Sequence, residues 1–317
     1  MNLLEVFSLL FFSRLRITFE AIESLELPVF KGSAFRGCFG QALKQEVCTF
    51  RKGQCEICKH KYVCCFSLLF NSYEKNESKI GRELTKQPHP YLIVPFTDSR
   101  THYNKPDRFG FELTLIGSAT KFIDRILSAI KRMGVSGIGV GRKQFMPIGI
   151  EFLNSELKYE SLSFLYQPYS IFLKDLPKVE VVDSLKIKLE TPLRLAKDSK
   201  PNFEMPEFKH LIDNLLTRIT ALSVLYCDAE DINIEIKEYL LFGASQVELT
   251  MTDKLFIEQT RFSGTQKAKM QFDGIVGTMK IQGTNLSKWI PLLLLGSYLH
   301  VGSTTTFGLG KYSVVID

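Results

Sequence analysis

The chain is poor in the groups that most enzymes use for chemistry. Its 317 residues include five histidines and one tryptophan, and proline is limited to 12. The low proline count excludes a polyproline or low-complexity chain. No uninterrupted apolar run is long enough to span a bilayer. The apolar start, Met1 to Phe12, lacks a basic leading segment, carries Glu5 inside it and runs straight into the alternating Arg14-Leu-Arg-Ile-Thr-Phe-Glu. It therefore reads as a strand leader and not as a signal peptide, with the cytoplasm as the expected compartment and no membrane partner. Gly302 to Gly310 lacks the Gly-Lys-Ser/Thr ending of a P-loop and precedes a strand. No carboxylate cluster suggests catalytic magnesium, and no Ser-His-Asp set is legible.

What is present is folded, weakly basic material. Hydrophobic residues make up 45% of the chain and the net charge is +6, so an acidic partner has to be met by local clusters. Such clusters occur at Arg51, Lys52, Lys59, His60 and Lys61, at Arg142 and Lys143, and at Arg261, Lys267 and Lys269. A solvated face accounts for most runs of this kind.

Two stretches repeat one pattern. Phe111 to Gly117 is a strand ending in glycine, followed by a helix through Met133, the loop Gly134 to Lys143 and a strand from Phe145 to Phe152. Gly277 to Gly283, a helix from Ser287 to Leu299, the loop His300 to Lys311 and a strand from Tyr312 to Ile316 repeat it. Asn285 or Ser287 is the expected helix cap, with Pro291 in the first turn, where its missing N–H costs little. Duplication at matched order and spacing predicts two copies of one small unit.

Strands at Leu15–Ala21, Tyr91–Pro95 and Phe109–Ile116 and a helix at Ser33–Val47 complete the first copy. A strand at Ser184–Leu193, a helix at Pro206–Tyr226 and strands at 246–262 and 272–282 complete the second. The expected class is α+β, two tandem ferredoxin-like βαββαβ domains, similar to RNA-recognition motifs. The expected boundaries are 1–155 for the first domain with a cysteine-rich insertion at 48–66, 156–180 for a linker and 181–317 for the second domain. Helical stripes such as Ile126, Ile130 and Met133, or Leu211, Leu215 and Leu222, are core.

Five of the seven cysteines crowd into 48–65. Cys48-x6-Cys55-x2-Cys58-x5-Cys64 has the soft ligands and the knuckle that tetrahedral zinc needs, with Cys65 spare and His60 an alternative ligand. A closed four-ligand site leaves no open position, so the zinc expected is structural, holding a basic flap, and no catalytic metal is expected. Reduced, unmetallated thiols are the alternative.

Glycine-rich loops flanked by Lys and Arg suit a polyanion that approaches backbone N–H groups. His210, His89 and His102 read as surface groups. His300 ends the last helix and opens the second glycine-rich loop beside Ser303, Thr304 and Lys311. It can complement the helix dipole or act as a general acid or base.

The tail Leu299-His-Val-Gly-Ser-Thr-Thr-Thr-Phe-Gly-Leu-Gly-Lys-Tyr resembles the C-terminal glycine-rich signature of the RAMP superfamily. The specific likeness is to the CRISPR-associated endoribonuclease that processes precursor CRISPR RNA. Phe35-Arg-Gly-Cys-Phe-Gly, the cysteine knuckle running into Cys64-Cys-Phe-Ser-Leu-Leu-Phe, and Arg261-Phe-Ser-Gly-Thr-Gln-Lys with Phe272-Asp-Gly-Ile-Val-Gly extend the resemblance across nearly the whole chain.

The resemblance implies a repeat-RNA substrate and metal-independent cleavage by the 2′-hydroxyl, leaving a 2′,3′-cyclic phosphate and a 5′-hydroxyl. It also implies RNA contacts at Arg36, Arg142, Lys143, Arg261, Ser263, Gln266, Lys267, Lys269, Gly302, Ser303, Gly308, Gly310 and Lys311. Many members place a catalytic histidine in the first helix of the N-terminal domain, but this chain has none before His60. The role passes to His300, to a basic or tyrosine substitute, or is absent. Arg261, Lys267, Lys269 or Lys311 would steady the scissile phosphate. The rival is a non-catalytic subunit of the same superfamily that holds mature CRISPR RNA in an effector complex. A duplicated zinc-bearing RNA-recognition protein is more distant, because its aromatic strand signature is missing.

Overall fold

Alternation along the first long strand fixes the first sheet. In β1 (Phe11–Ala21), Leu15, Ile17, Phe19 and Ala21 are fully buried, while Arg16, Thr18 and Glu20 between them are only partly covered. The inward row packs under α1 (Gly32–Val47) and α2 (Ile123–Ser136), and the polar row forms an outer face. β2 (Tyr91–Pro95), β3 (Arg108–Ile116) and β4 (Phe145–Leu153) complete the unit. The antiparallel order is β2-β3-β1-β4.

The second unit has the same plan. It contains β7 (Ser184–Leu193), α3 (Phe208–Tyr226), β8 (Glu248–Ile257), β9 (Gly274–Gln282), α5 (Ile290–Leu299) and β10 (Tyr312–Ile316), in the order β8-β9-β7-β10. In each unit the first and third strands are central and flanked by the second and fourth, so the tandem ferredoxin-like arrangement holds in both halves. The computed structural model describes residues 3–50, 55–71, 87–161, 169–179, 183–197, 200–202, 204, 206–258, 260–263 and 268–316.

Four expectations change. The stretch 156–180 is not a plain linker, since β5 (Tyr159–Ser161) pairs with β4 and β6 (Ile171–Phe172) pairs with the start of β1. Short strands with no clear period form there because an edge was available. A further helix, α4 (Ile234–Ala244), follows α3 and is capped by Asn233, whose side chain accepts the Glu235 N–H at 2.8 Å. The strand expected over 246–262 divides into β8 and one arm of a hairpin, Thr260–Ser263 paired with Ala268–Gln271. The last helix is entered through a 3-10 turn at Leu286–Trp289, with Asn285 left-handed before it, so neither Asn285 nor Ser287 provides a side-chain cap.

The two units are tied by a shared core. Leu3, Phe7, Leu10 and Phe12 from the start of the chain, with Ile171 and Leu173, belong to the cluster built around α3, Trp289 and α5. Phe19, Phe35, Phe109, Phe111 and Phe145 fill the other cluster, with ring centroids 4.9 to 6.1 Å apart. Because the first domain's leading strand is anchored in the second domain's core, the outer sheet faces are held relative to each other.

Candidate nucleic-acid interface

The outer faces of the two sheets meet at Lys311. Its Nζ is 3.1 Å from Glu190 Oε2, and Glu190 extends the outward row of β7. The same Nζ is 3.8 Å from Glu112 Oε2 on the outward row of β3. Glu112 also meets Arg16 at 3.3 Å and Arg14 at 3.7 Å, and accepts the Tyr159 hydroxyl at 2.8 Å. Arg16 lies 3.7 Å over the Tyr159 ring. Arg14, Lys311 and Arg16 hold the Glu112 carboxyl below its usual range, overcoming the burial that would raise it. This network ties the outer face of one sheet to the outer face of the other.

The outer face of the second-domain sheet is basic. Outward residues alternate along Ser184-Leu-Lys-Ile-Lys-Leu-Glu, so Lys186 and Lys188 share a face with Glu190 while Leu185, Ile187 and Leu189 are buried. Register places Lys186 beside Lys280 of β9 and Lys188 beside Thr278. Lys188 and Lys280 are exposed. Three lysines on adjacent rungs of an open sheet form a row suited to a phosphate backbone. Reading the sequence by clusters along the chain missed them, because Lys186 and Lys280 are distant in sequence. The apolar/polar alternation in β7 was the signal that could have revealed two of the three.

The glycine-rich loop has a different role from the one expected. Ser303 N–H donates to Arg194 O at 3.0 Å, Gly310 N–H to Pro192 O at 3.0 Å and Gly308 N–H to Thr305 O at 2.9 Å. These donors are already used, so Ser303, Gly308 and Gly310 do not present the N–H cradle that the sequence suggested. Glycine is needed here for close backbone packing. A Cβ on Gly310 would lie 1.9 Å from Val301 O at φ +71°, and one on Gly302 would lie 2.3 Å from Arg194 O at φ +85°. The loop serves as the joint that packs the second domain onto β2 and the start of α1, where Gly32 abuts Phe307.

His300 is likewise internal. Its ring is fully buried, Nδ1 donates to Leu309 O at 2.9 Å, and Nε2 has no hydrogen-bond partner among the described residues. Burial first, and then Arg14, Lys311 and Arg218, hold its pKa well below the usual 6.5, against the opposing hydrogen bond to Leu309. The positive end that the helix dipole calls for is supplied instead by Arg14, which donates to Tyr298 O at 2.6 Å, and by Arg218, which donates to Leu299 O at 3.1 Å. A neutral imidazole with no route to solvent does not suit a general acid or base acting on RNA, so the geometry moves His300 from catalysis to the joint.

The remaining candidates scatter. Arg36 is half-buried, its guanidinium 5.1 Å from the Phe70 ring and 4.8 Å from the Phe307 ring, and it clamps the insertion and the glycine loop to α1. Arg142 lies exposed on the tip of the first glycine loop at φ 49°, and Lys143 pairs with Glu23 at 3.3 Å. Arg261, Ser263 and Lys269 fall on the hairpin beyond β8, with Phe262 opposite Lys269, while Gln266 and Lys267 lie outside the described residues.

Cys48, Cys55, Cys58 and Cys64 are partly exposed free thiols. Among the described residues no three His, Cys, Asp or Glu side chains gather as a metal ion requires, so the thiols as folded do not fit the expected tetrahedral set. Cys65 starts the helix Cys65–Phe70 and is buried, which pushes its thiol up to about 12 and makes it a core residue. Among the described residues no helix is long and apolar enough to cross a membrane.

Comparisons with known proteins agree with the fold. A protein of Archaeoglobus fulgidus is 22% identical over 297 residues, covering 91% of this chain and 92% of its own length. A solved Cas6 product complex superposes with a TM-score of 0.58 at 13% identity, covering 97% of this chain and 99% of that one. Thermus thermophilus Cas6 superposes with a TM-score of 0.57 at 14% identity over 96% of this chain and 99% of its own. A family model described as an N-terminal domain matches residues 9–173, and the model described as CRISPR-associated endoribonuclease Cas6 matches residues 187–312. With the paired ferredoxin-like sheets and these matches in place, residues 187–312 fall within the family described as CRISPR-associated endoribonuclease Cas6.

Proposed function

We propose that the protein cuts precursor CRISPR RNA within its repeats without a catalytic metal. The 2′-oxygen at the cut bonds to phosphorus as the P–O5′ bond breaks, giving a 2′,3′-cyclic phosphate and a 5′-hydroxyl. The 2′-hydroxyl proton leaves to a base and another proton reaches the departing 5′-oxygen. The observation that carries the reading is the outer sheet face beside Lys311, which bears Lys186, Lys188 and Lys280 on neighbouring rungs and which we take as one wall of the RNA cleft. RNA lying there is gripped by its backbone, while the cationic side chains lining the cleft can offset charge on the phosphorane. His300, buried at the joint, acts on the RNA only through the loop it supports.

Incubating purified protein with end-labelled repeat RNA in excess EDTA tests this. Specific cutting with cyclic-phosphate ends is expected. Retention of intact RNA across several repeat sequences would instead identify a non-cutting subunit that holds CRISPR RNA in an effector complex.

We also propose that the cysteine insertion binds structural zinc, on the spacing of its thiols. Four thiolates repel one another until a cation draws them together, and zinc sites of this type form with their metal. Elemental analysis of protein purified without chelator is expected to give about one zinc per chain, lost when Cys55 and Cys58 are replaced by serine. Folded, zinc-free wild type would end this proposal.

A further inference from the structure

A second basic site lies where the first-domain wall of the cleft ends. Along the outer row of β3, Glu112, Gly110 and Arg108 follow one another, about 13 Å from first to last at the rise of a strand. Beyond Gly110 a pocket of about 380 Å³ opens, lined by Lys31, Phe96, Asp98, Arg100, Tyr103 and Arg108. The absence of a side chain at Gly110 shapes it, since a Cβ there would lie 2.1 Å from Ile17 O and 2.6 Å from the Phe96 ring.

The charges in this pocket do not balance. Asp98 is fully engaged: it accepts from Arg100 Nε at 3.0 and 3.2 Å, from the Arg100 N–H at 2.8 Å and from the Tyr103 hydroxyl at 2.8 Å. Arg100 also faces Asp107 at 3.6 Å. Lys31, immediately before α1, is only 3% exposed. Its ammonium makes one hydrogen bond among the described residues, to Asp98 O at 2.6 Å, which leaves two of its three donors without an acceptor. Burial, aided by the neighbouring Arg100 cation, lowers the Lys31 pKa by more than Asp98 raises it. Arg108 is exposed, and its guanidinium has no hydrogen bond or ion pair among the described residues, although Glu20 lies opposite it across β1.

A buried ammonium with spare donors beside an uncommitted guanidinium is short of one anion with several acceptor oxygens. A phosphodiester fits, and RNA seated in the cleft runs toward this end of β3. We propose that Lys31 and Arg108, braced by Arg100 and Tyr103, form a phosphate-binding pocket that holds one backbone phosphate of the RNA at the end of the cleft.

The proposal rests on the RNA-processing reading, and the test separates the two. Fluorescence anisotropy with labelled repeat RNA compares wild type with Arg108→Gln and Lys31→Met over a salt series, with inorganic phosphate as competitor. Each variant is expected to lower RNA affinity roughly 5-fold to 10-fold and to make the log–log salt slope shallower by about 1, as the loss of one phosphate contact does. Millimolar inorganic phosphate is expected to weaken RNA binding by wild type more than by Arg108→Gln at matched ionic strength. Arg108 is exposed and unpaired, so its variant remains informative even if Lys31→Met fails to fold. Wild-type affinity and slope in Arg108→Gln would overturn the pocket while leaving the cleft standing. Phosphate binding at the pocket with no effect on RNA would also overturn it, by showing a free-anion site. Failure of wild type to bind RNA would instead overturn the function it rests on.

Discussion

Replacing Lys186, Lys188 and Lys280 together by glutamate is expected to reduce affinity for repeat RNA by at least about 100-fold at ~0.1 M salt and to flatten its salt dependence by about three units of slope. The three side chains project from the outer face of one sheet, on rungs set by the pairing of β7 with β9. Their neighbours on those rungs are Thr278, Thr250, Ser313 and the exposed Val315, so the face has no buried apolar core for the substitutions to disturb. The inward residues of the same strands, Leu185, Ile187, Met279 and Ile281, carry the packing and are unchanged. Lost binding at an unchanged thermal midpoint is therefore the expected combination. Binding within a few-fold of wild type would show that RNA does not use this wall, and the cleft reading would fail with it. The single substitutions should weaken binding in roughly additive steps, since contacts to separate phosphates are largely independent.

The second large effect is on stability and comes from His300. The folded ring is neutral and its pKa is depressed, whereas the unfolded ring has the ordinary value near 6.5. A depressed folded pKa gives stability that is fully present above the unfolded value and is lost as pH falls below it. While the folded ring stays neutral the loss approaches about 1.4 kcal/mol per pH unit. The groups facing the ring, Arg14, Lys311 and Arg218, are all cationic, so none offers the proton a counter-charge.

Urea unfolding between pH 7.5 and 5.5 is expected to show this decline in wild type and little of it in His300→Asn. Asparagine suits the test because its amide can replace Nδ1 as donor to Leu309 O and does not titrate. Glu112, whose depressed pKa acts by the same sign, contributes only below about 4.5, outside the window. Equal pH dependence in wild type and variant would show that the ring is not held as described. A fall in RNA cleavage by His300→Asn that exceeds its loss of folded protein would return the histidine to the chemistry.

Much of the architecture was legible from periodicity. β2, β7 and β10 have the bounds expected from alternation alone, and α1, α2 and α3 follow their apolar stripes to within a few residues. These elements succeed because one face of each is buried in its own domain, so local pattern and tertiary demand agree. β5, β6 and α4 were missed. The first two are two- and three-residue additions to an existing edge, too short to carry a period, and α4 is an exposed helix with Tyr239 and Phe242 in solvent, so its stripe is blurred.

The site was less legible, for a related reason. Glycines and a histidine in one loop fit an anion cradle by composition, yet their N–H groups and ring are used by Arg194, Pro192 and Leu309 of the protein itself. A sequence shows which donors exist and not which acceptors the fold brings to them. Residue types and alternation determined the duplicated ferredoxin-like units, the family resemblance and the surplus of basic side chains. The tertiary structure alone decided which of those side chains share one outer sheet face, because that depends on strand register between distant segments and on Lys311 joining Glu112 to Glu190. Charge pairs across 121 and 199 positions of chain leave no periodic trace in sequence.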